Sequence, residues 1–197
     1  MDIRTVDVAA ASAHGVLVTH ATPGFVSAVN EWILGVMIDL ARGISKASAV
    51  YQRGLEPQAR MGIQLSGATL GVVGLGAIGS RLVVLATQLG MKVIAYDPFV
   101  SEVPDGAETA DLQSLLTCAD FVVCLAVANE TTENSVRRGC LSPMKPTAHH
   151  QCVARQPSVD ELALLAALEA GSIARPPWMS GARPIRSHRW RWPACPT

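Results

Sequence analysis

The sequence has no excess of charge of either sign and no long apolar run. Its 197 residues contain 16 Lys and Arg against 16 Asp and Glu, so the formal net charge is zero. A neutral chain gives no electrostatic reason to expect nucleic acid or an anionic membrane as a partner. No apolar run reaches the ~18 residues needed to cross a bilayer, and no charged-then-apolar leader begins the chain. These absences predict a soluble, cytoplasmic protein.

The five cysteines are not arranged as a disulfide framework or a metal site. None of them forms a C-x-x-C pair, and their number is odd. Cys118 and Cys124 flank or lie in an apolar run, where cysteine usually acts as a small hydrophobic residue. We therefore expect no metal ligands among them.

A glycine-rich turn between two apolar runs is the most informative motif. Leu70–Val73 leads into Gly74-Leu75-Gly76-Ala77-Ile78-Gly79, and a second run, Lys92–Tyr96, ends at Asp97. This is the G-x-G-x-x-G dinucleotide fingerprint in a strand–helix–strand unit, with its acidic residue at about the expected ~20-residue distance. The complete context favours a nucleotide site over a purely structural glycine turn.

Each position of the motif has a physical role in binding a dinucleotide. Gly74 permits the tight turn, Gly76 lets the backbone approach a pyrophosphate, and Gly79 lets the helix pack closely on the sheet. The pyrophosphate would bind the free N–H groups at the start of that helix. Asp97 would bind the adenosine ribose and repel the 2′-phosphate of NADP, so NAD is the predicted cofactor. The candidate cofactor-binding residues of the motif are Gly74, Gly76, Ala77, Ile78, Gly79 and Asp97.

Strands and helices alternate along the chain, which predicts an α/β domain with a parallel sheet. Residues 6–14 suggest a short helix and 15–19 a strand, and a strand over 120–125 has the continuous apolar character of a buried parallel sheet. Ser158 to Gly171 has the start and stop signals of a helix. A long amphipathic helix precedes the fingerprint, with one apolar face formed by Val29, Trp32, Ile33, Val36, Met37 and Leu40.

The chain from Val6 to Ile173 resembles the D-isomer-specific 2-hydroxyacid dehydrogenases, a family that includes phosphoglycerate dehydrogenases and hydroxypyruvate or glyoxylate reductases. The motifs occur in the family's order and spacing. They are Leu65–Gly71, Leu89–Val93, Ala119–Val123, Glu130–Thr132, Met144–Pro146, Val153–Arg155 and Val159–Glu161. A different Rossmann enzyme, such as a methyltransferase, would fit Asp97 but not the motifs around Thr132, Lys145 and Arg155.

The resemblance implies hydride transfer between NAD and the C2 carbon of a small 2-hydroxy or 2-keto acid. It assigns Arg155 to the substrate carboxylate, which a planar guanidinium can hold bidentately. It further places Ala126, Thr132 and Val153 at cofactor-binding positions. The long helix resembling 26–42 takes part in a two-fold dimer in the family, so a homodimer is expected.

Two segments depart from the family's pattern. His149-His150-Gln151-Cys152 stands where a buried strand is expected. One codon choice for this segment, CAT-CAT-CAA-TGT, would read Ile-Ile-Asn in the neighbouring frame. Trp178-Met179 has the unique codons TGG-ATG, which in another frame give the Asp of the family's Ala-Leu-Asp-Val. We therefore hypothesise that residues 149–152, and the chain from about 174 onward, are frameshifted translation. A basic aromatic tail binding nucleic acid or membrane is the competing interpretation.

These motifs predict a Rossmann-type, doubly wound parallel sheet with only a remnant of the second, substrate domain. The expected division is 1–22 for the remnant, 23–175 for the NAD-binding domain and 176–197 for the aberrant tail. No residue matches the family's catalytic His or its partner Glu. The expected function is an NAD-dependent oxidoreductase of which this chain is mainly the cofactor half. The alternative is a non-catalytic NAD-binding module or an inactive fragment.

Overall fold

Five parallel strands and five helices make up the part of the chain that the structure, a computed structural model, describes. That part comprises residues 6–19, 24–59, 61–100, 102–126, 144–145, 149–152 (backbone alone) and 170. The strands are β1 (Thr69–Val73), β2 (Lys92–Tyr96), β3 (Ala107–Thr109), β4 (Phe121–Cys124) and β5 (His149–Cys152). The helices are α1 (Val8–Ala13), α2 (Val26–Arg42), α3 (Ile44–Tyr51), α4 (Ala77–Gln88) and α5 (Leu112–Cys118).

The strand order is β3-β2-β1-β4-β5, and every neighbouring pair is parallel. From β1 the chain first adds strands on one side and then returns to add β4 and β5 on the other. The order therefore reverses between β1 and β4, which is the topological switch point where open α/β sheets bind their ligands. The predicted doubly wound α/β architecture is confirmed.

Alternate residues of the central strands supply two separate hydrophobic cores, one on each face of the sheet. Leu70 and Val72 of β1 belong to the core that α2 and α4 cover. Val73 of β1 and Val122 of β4 belong to the core that α5 covers, together with Leu115 and Leu116. Because both faces are buried, these strands are apolar throughout, as the sequence predicted.

Helix α2 has the predicted bounds, but its buried stripe is narrower than the predicted apolar face. The buried residues are Asn30, Ile33, Met37, Leu40 and Ala41, whereas the Trp32 side chain is 54% exposed. The helix ends at Gly43, whose φ of 67° is left-handed. Helix α3 follows at once, because Asp39 accepts hydrogen bonds from the N–H and hydroxyl of Ser45 at 2.6 and 2.7 Å.

Asp120 connects β1, β4 and Lys145 at the amino-terminal edge of the sheet. Its N–H donates to the Thr69 carbonyl oxygen at 2.8 Å, and its Oδ2 accepts the Thr69 N–H at 2.9 Å. Its Oδ1 lies 2.7 Å from Lys145 Nζ. Partial burial raises the pKa of Asp120, but the hydrogen bonds from Lys145 and Thr69 and the charge of Lys145 bring it below its usual value.

Several local predictions differ from the structure. Residues 15–19 form no strand, and helix α1 is shorter than the helix predicted over residues 6–14. Helix α3 and strand β3 had no counterpart among the predicted elements. The helix predicted from Ser158 to Gly171 lies outside the described residues. Within the described part of the chain, no helix combines the length and apolarity needed to span a membrane.

Candidate functional site

Gly74 turns the chain sharply at the carboxyl end of β1. Its φ is 100°, and its N–H donates to the Tyr96 carbonyl oxygen at 2.9 Å. A Cβ at this position would lie 2.7 Å from the Ala126 nitrogen and 2.9 Å from the Leu125 carbonyl carbon. The segment after β4 therefore passes too close to admit a side chain, and the turn places two of the predicted cofactor residues, Gly74 and Ala126, side by side.

Gly76 precedes α4 and faces open space. It has φ −67° and ψ −171°, and no side chain caps the helix. Apart from its chain neighbours, no heavy atom of the described residues would lie within 4 Å of a Cβ built on Gly76. The N–H groups of Ala77, Ile78 and Gly79 have no acceptor within the helix, as in any first turn. With no acidic residue in that turn, this end of α4 is suited to a negatively charged group.

Gly79 lies in the first turn of α4, against the backbone of the fingerprint turn. A Cβ here would collide with the Gly74 carbonyl oxygen and would lie 3.5 Å from Val72 Cγ1. The adjacent Ser80 hydroxyl donates to the Leu75 carbonyl oxygen at 2.9 Å. The helix therefore sits directly on β1, at a distance that only glycine allows.

Asp97 binds the fingerprint turn through its carboxylate. Its Oδ2 accepts the N–H of Leu75 at 2.8 Å, and its Oδ1 accepts the N–H of Phe99 at 2.9 Å. An ionised carboxylate has about four lone-pair sites, so both oxygens retain acceptor capacity for hydroxyl groups. The bond to Leu75 was not predicted, although the β1–β2 register, in which Val73 opposes Tyr96, places the two following segments together.

The structure thus brings the fingerprint residues, Asp97 and Ala126 to the carboxyl edge of the sheet beside the switch point. The other predicted site residues, Thr132, Val153 and Arg155, lie outside the described part of the chain. Among the residues that the structure describes, no group of three or more His, Cys, Asp or Glu side chains could hold a metal ion.

Comparison with known proteins gives consistent matches. The family model for the NAD binding domain of D-isomer specific 2-hydroxyacid dehydrogenases matches residues 34–176. D-3-phosphoglycerate dehydrogenase of Synechocystis sp. is 37% identical over 175 residues, 87% of this chain and 32% of that protein. Hydroxypyruvate reductase of Thermotoga maritima is 32% identical over 172 residues, 87% of this chain and 56% of that protein.

A solved structure agrees with the sequence matches. D-lactate dehydrogenase with NAD+ from Lactobacillus jensenii superposes with a TM-score of 0.76 at 28% identity, covering 88% of this chain and 54% of that one. The chain therefore spans only about a third to about half of the length of these relatives. The resemblance inferred from the motifs is confirmed.

The contrast between Gly79 and Gly76 predicts different stabilities for two otherwise equivalent substitutions. Gly79→Ala should destabilise the fold by about 1–3 kcal/mol, because the new methyl group overlaps the backbone of β1's turn. At Gly76 there is free space for a methyl group and φ is ordinary. Gly76→Ala should therefore lower the free energy of unfolding by about 1 kcal/mol or less, through the change of helix cap. Urea unfolding followed by circular dichroism measures both, and equal midpoints for the two variants would refute the close-packing role of Gly79.

Proposed function

Because this chain belongs to the D-isomer specific 2-hydroxyacid dehydrogenase family through its NAD-binding domain, we propose that it is the cofactor-binding half of an NAD-dependent oxidoreductase. The proposed reaction transfers a hydride between NAD(H) and the C2 carbon of a small D-2-hydroxy acid or 2-keto acid. The observation that supports it best is the open space over Gly76 at the start of α4, next to Leu75, whose N–H donates to the Asp97 carboxylate.

The described residues fit NAD by chemistry and by position. The N–H groups of Ala77, Ile78 and Gly79 would hold the pyrophosphate at the positive end of α4. The absence of a Cβ at Gly76 leaves room for that group to approach the backbone. Asp97 would accept the ribose hydroxyls, and its charge disfavours a 2′-phosphate at the same place. When bound, NAD(H) supplies or accepts the hydride.

Cofactor binding is tested with Gly76→Ala. The added methyl group occupies the proposed path of the pyrophosphate, so the Kd for NADH should rise by about tenfold or more, the equivalent of ~1.4 kcal/mol. Quenching of NADH fluorescence on titration measures the Kd. Gly35→Ala is the matched control, because Gly35 lies in the middle of α2 and also has free space for a Cβ. An unchanged Kd in Gly76→Ala would reject the proposed pyrophosphate position.

The substrate side of the proposal rests on Arg155. A guanidinium at this position would grip the substrate carboxylate and orient C2 toward the nicotinamide. In a 2-hydroxyacid oxidoreductase a second group must exchange a proton with the substrate oxygen as the hydride moves. No residue of this sequence matches the family's His or Glu for that task, so the alternative proposal is a non-catalytic NAD-binding module.

Turnover separates the two proposals. If the chain is an enzyme, it should oxidise NADH with glyoxylate, hydroxypyruvate or phosphohydroxypyruvate. Arg155→Met should then raise KM by about 100-fold, which corresponds to the ~3 kcal/mol of a charge-assisted contact. Arg155→Lys should raise KM by less, because it keeps the positive charge. The Kd for NADH should be the same in all three proteins. Tight NADH binding without turnover of any of these acids would instead establish the non-catalytic module.

We further propose that two copies associate through the outer face of α2. The large Trp32 side chain is 54% exposed on that face, and Val36, one turn further, is only partly buried against the core. Ile33, which the sequence pattern placed on the same apolar face as Trp32, is instead fully buried in the chain's own core. Tryptophan is enriched at protein interfaces, because its large ring buries much apolar area when a partner covers it.

Light scattering coupled to size exclusion tests this association. The unmodified chain should have twice the mass of one copy, and Trp32→Lys should have the mass of a single copy because a charge replaces the central apolar contact. Leu89→Lys is the control, since this leucine is 44% exposed at the far end of α4. A single-copy mass for the unmodified chain would disprove the proposed dimer.

A further inference from the structure

Strand β5 pairs with β4 in a defined register, although its sequence lacks the pattern that usually determines the register of a strand. His149, His150, Gln151 and Cys152 pair in parallel with Phe121, Val122, Val123 and Cys124 of β4. The register of a buried strand is normally set by its apolar face, and strands without such a face slip easily. The residues His-His-Gln-Cys offer no alternation of apolar and polar side chains. The register of β5 must therefore be set largely by contacts outside the strand.

The residues shortly before β5 make two such contacts. Met144 is 4% exposed and packs in the core that includes Leu115, Leu116 and Val122. Lys145 Nζ lies 2.7 Å from Asp120 Oδ1. Asp120 immediately precedes β4, so the ion pair joins the start of one strand to the chain that leads into the next.

Asp120 is itself held in place on a third strand. It exchanges two hydrogen bonds with Thr69, the first residue of β1, one from each backbone N–H. Lys145 therefore binds a carboxylate whose position is fixed relative to β1 and β4 together. Four residue steps separate Lys145 from His149, and an extended chain spans at most ~3.6 Å per step, or ~14 Å in all. This short tether restricts where β5 can begin.

We propose that Met144 and the Asp120–Lys145 ion pair form a register clamp for β5, with Asp120 and Lys145 acting as positioning residues for the site. The inference rests on the proposed function, because the residues that follow β5 include Val153 and Arg155. A slip of one residue moves the strand's end by ~3.3 Å and exchanges its two faces. Such a slip is larger than the tolerance of a bidentate hydrogen bond, so a slipped strand would deliver Arg155 to the wrong place.

The direct test is the strand pairing in the full, isotopically labelled chain, measured by NMR. The unmodified protein and Lys145→Arg should show the backbone contact between Val123 and Gln151. Lys145→Met, which keeps an unbranched side chain but removes the charged terminal group, should lose this contact or shift it to His150 or Cys152. The backbone contact between Val72 and Ala95, in the β1–β2 pair, verifies in each sample that the sheet is folded. A full Val123–Gln151 contact in folded Lys145→Met would overturn the clamp.

A second measurement covers the case in which Lys145→Met does not fold. In the unmodified protein, 1 M NaCl should screen the partly exposed ion pair and speed amide exchange in β5 by about threefold, with β2 unchanged. Equal effects of salt on β5 and β2, or none on either, would also overturn the clamp.

Activity provides the readout that a merely stabilising role would not affect. In folded Lys145→Met the KM for glyoxylate should rise at least fivefold, the Kd for NADH should stay within twofold, and Lys145→Arg should restore KM. A KM that does not change would mean that the pair does not position the site. The NMR contacts do not depend on NADH, so a chain that fails to bind NADH refutes the proposed function and leaves the clamp to be decided by strand pairing.

Discussion

Three backbone segments meet at the carboxyl end of β1 with no room for a side chain between them, and the geometry of the site depends on this contact. The turn at Gly74 touches the segment after β4 at Ala126, and α4 presses on the same turn through Gly79. The helix is thereby directed so that its first turn faces the crevice at the switch point. The same arrangement leaves open space over Gly76, which none of the neighbouring described residues reaches.

Asp97 connects this packing to ligand chemistry. Its carboxylate holds the N–H of Leu75 at 2.8 Å, so the acceptor proposed for the ribose and the N–H groups proposed for the pyrophosphate belong to one rigid unit. A site preorganised in this way loses little conformational freedom when the ligand binds. The smaller entropic cost of binding increases the affinity. The negative charge that we propose disfavours a 2′-phosphate is therefore also a structural element of the turn.

The sequence predicted the parts of the fold whose local pattern and tertiary role agree. The unit from β1 through α4 to β2, the long helix and β4 were all found where periodicity and glycine placement indicated. The prediction of a strand at residues 15–19 was wrong. An apolar run forms a strand only when another strand pairs with it, and no described residues pair with this run. Helix α3 was missed because its start depends on the Asp39 cap, a contact made six residues earlier in the chain. Ile33 and Trp32 were assigned to one apolar face, although adjacent helical residues differ by about 100° in direction.

Strand β5 shows why the site was harder to predict than the fold. Its four residues have no sequence pattern typical of a strand. Without β5, however, the backbone N–H and C=O groups on that side of β4 would be unpaired. The sheet thus supplies a template that a polar segment can pair with, provided that something else fixes its register. For one possible choice of codons, the neighbouring reading frame of this segment reads Ile-Ile-Asn, a pattern that would fix the register by burial. The hypothesis of a shifted frame and the parallel pairing of β5 are compatible, because backbone hydrogen bonds form with any side chains. What the side chains would change is the register, which we propose is set by the contacts at Met144, Lys145 and Asp120.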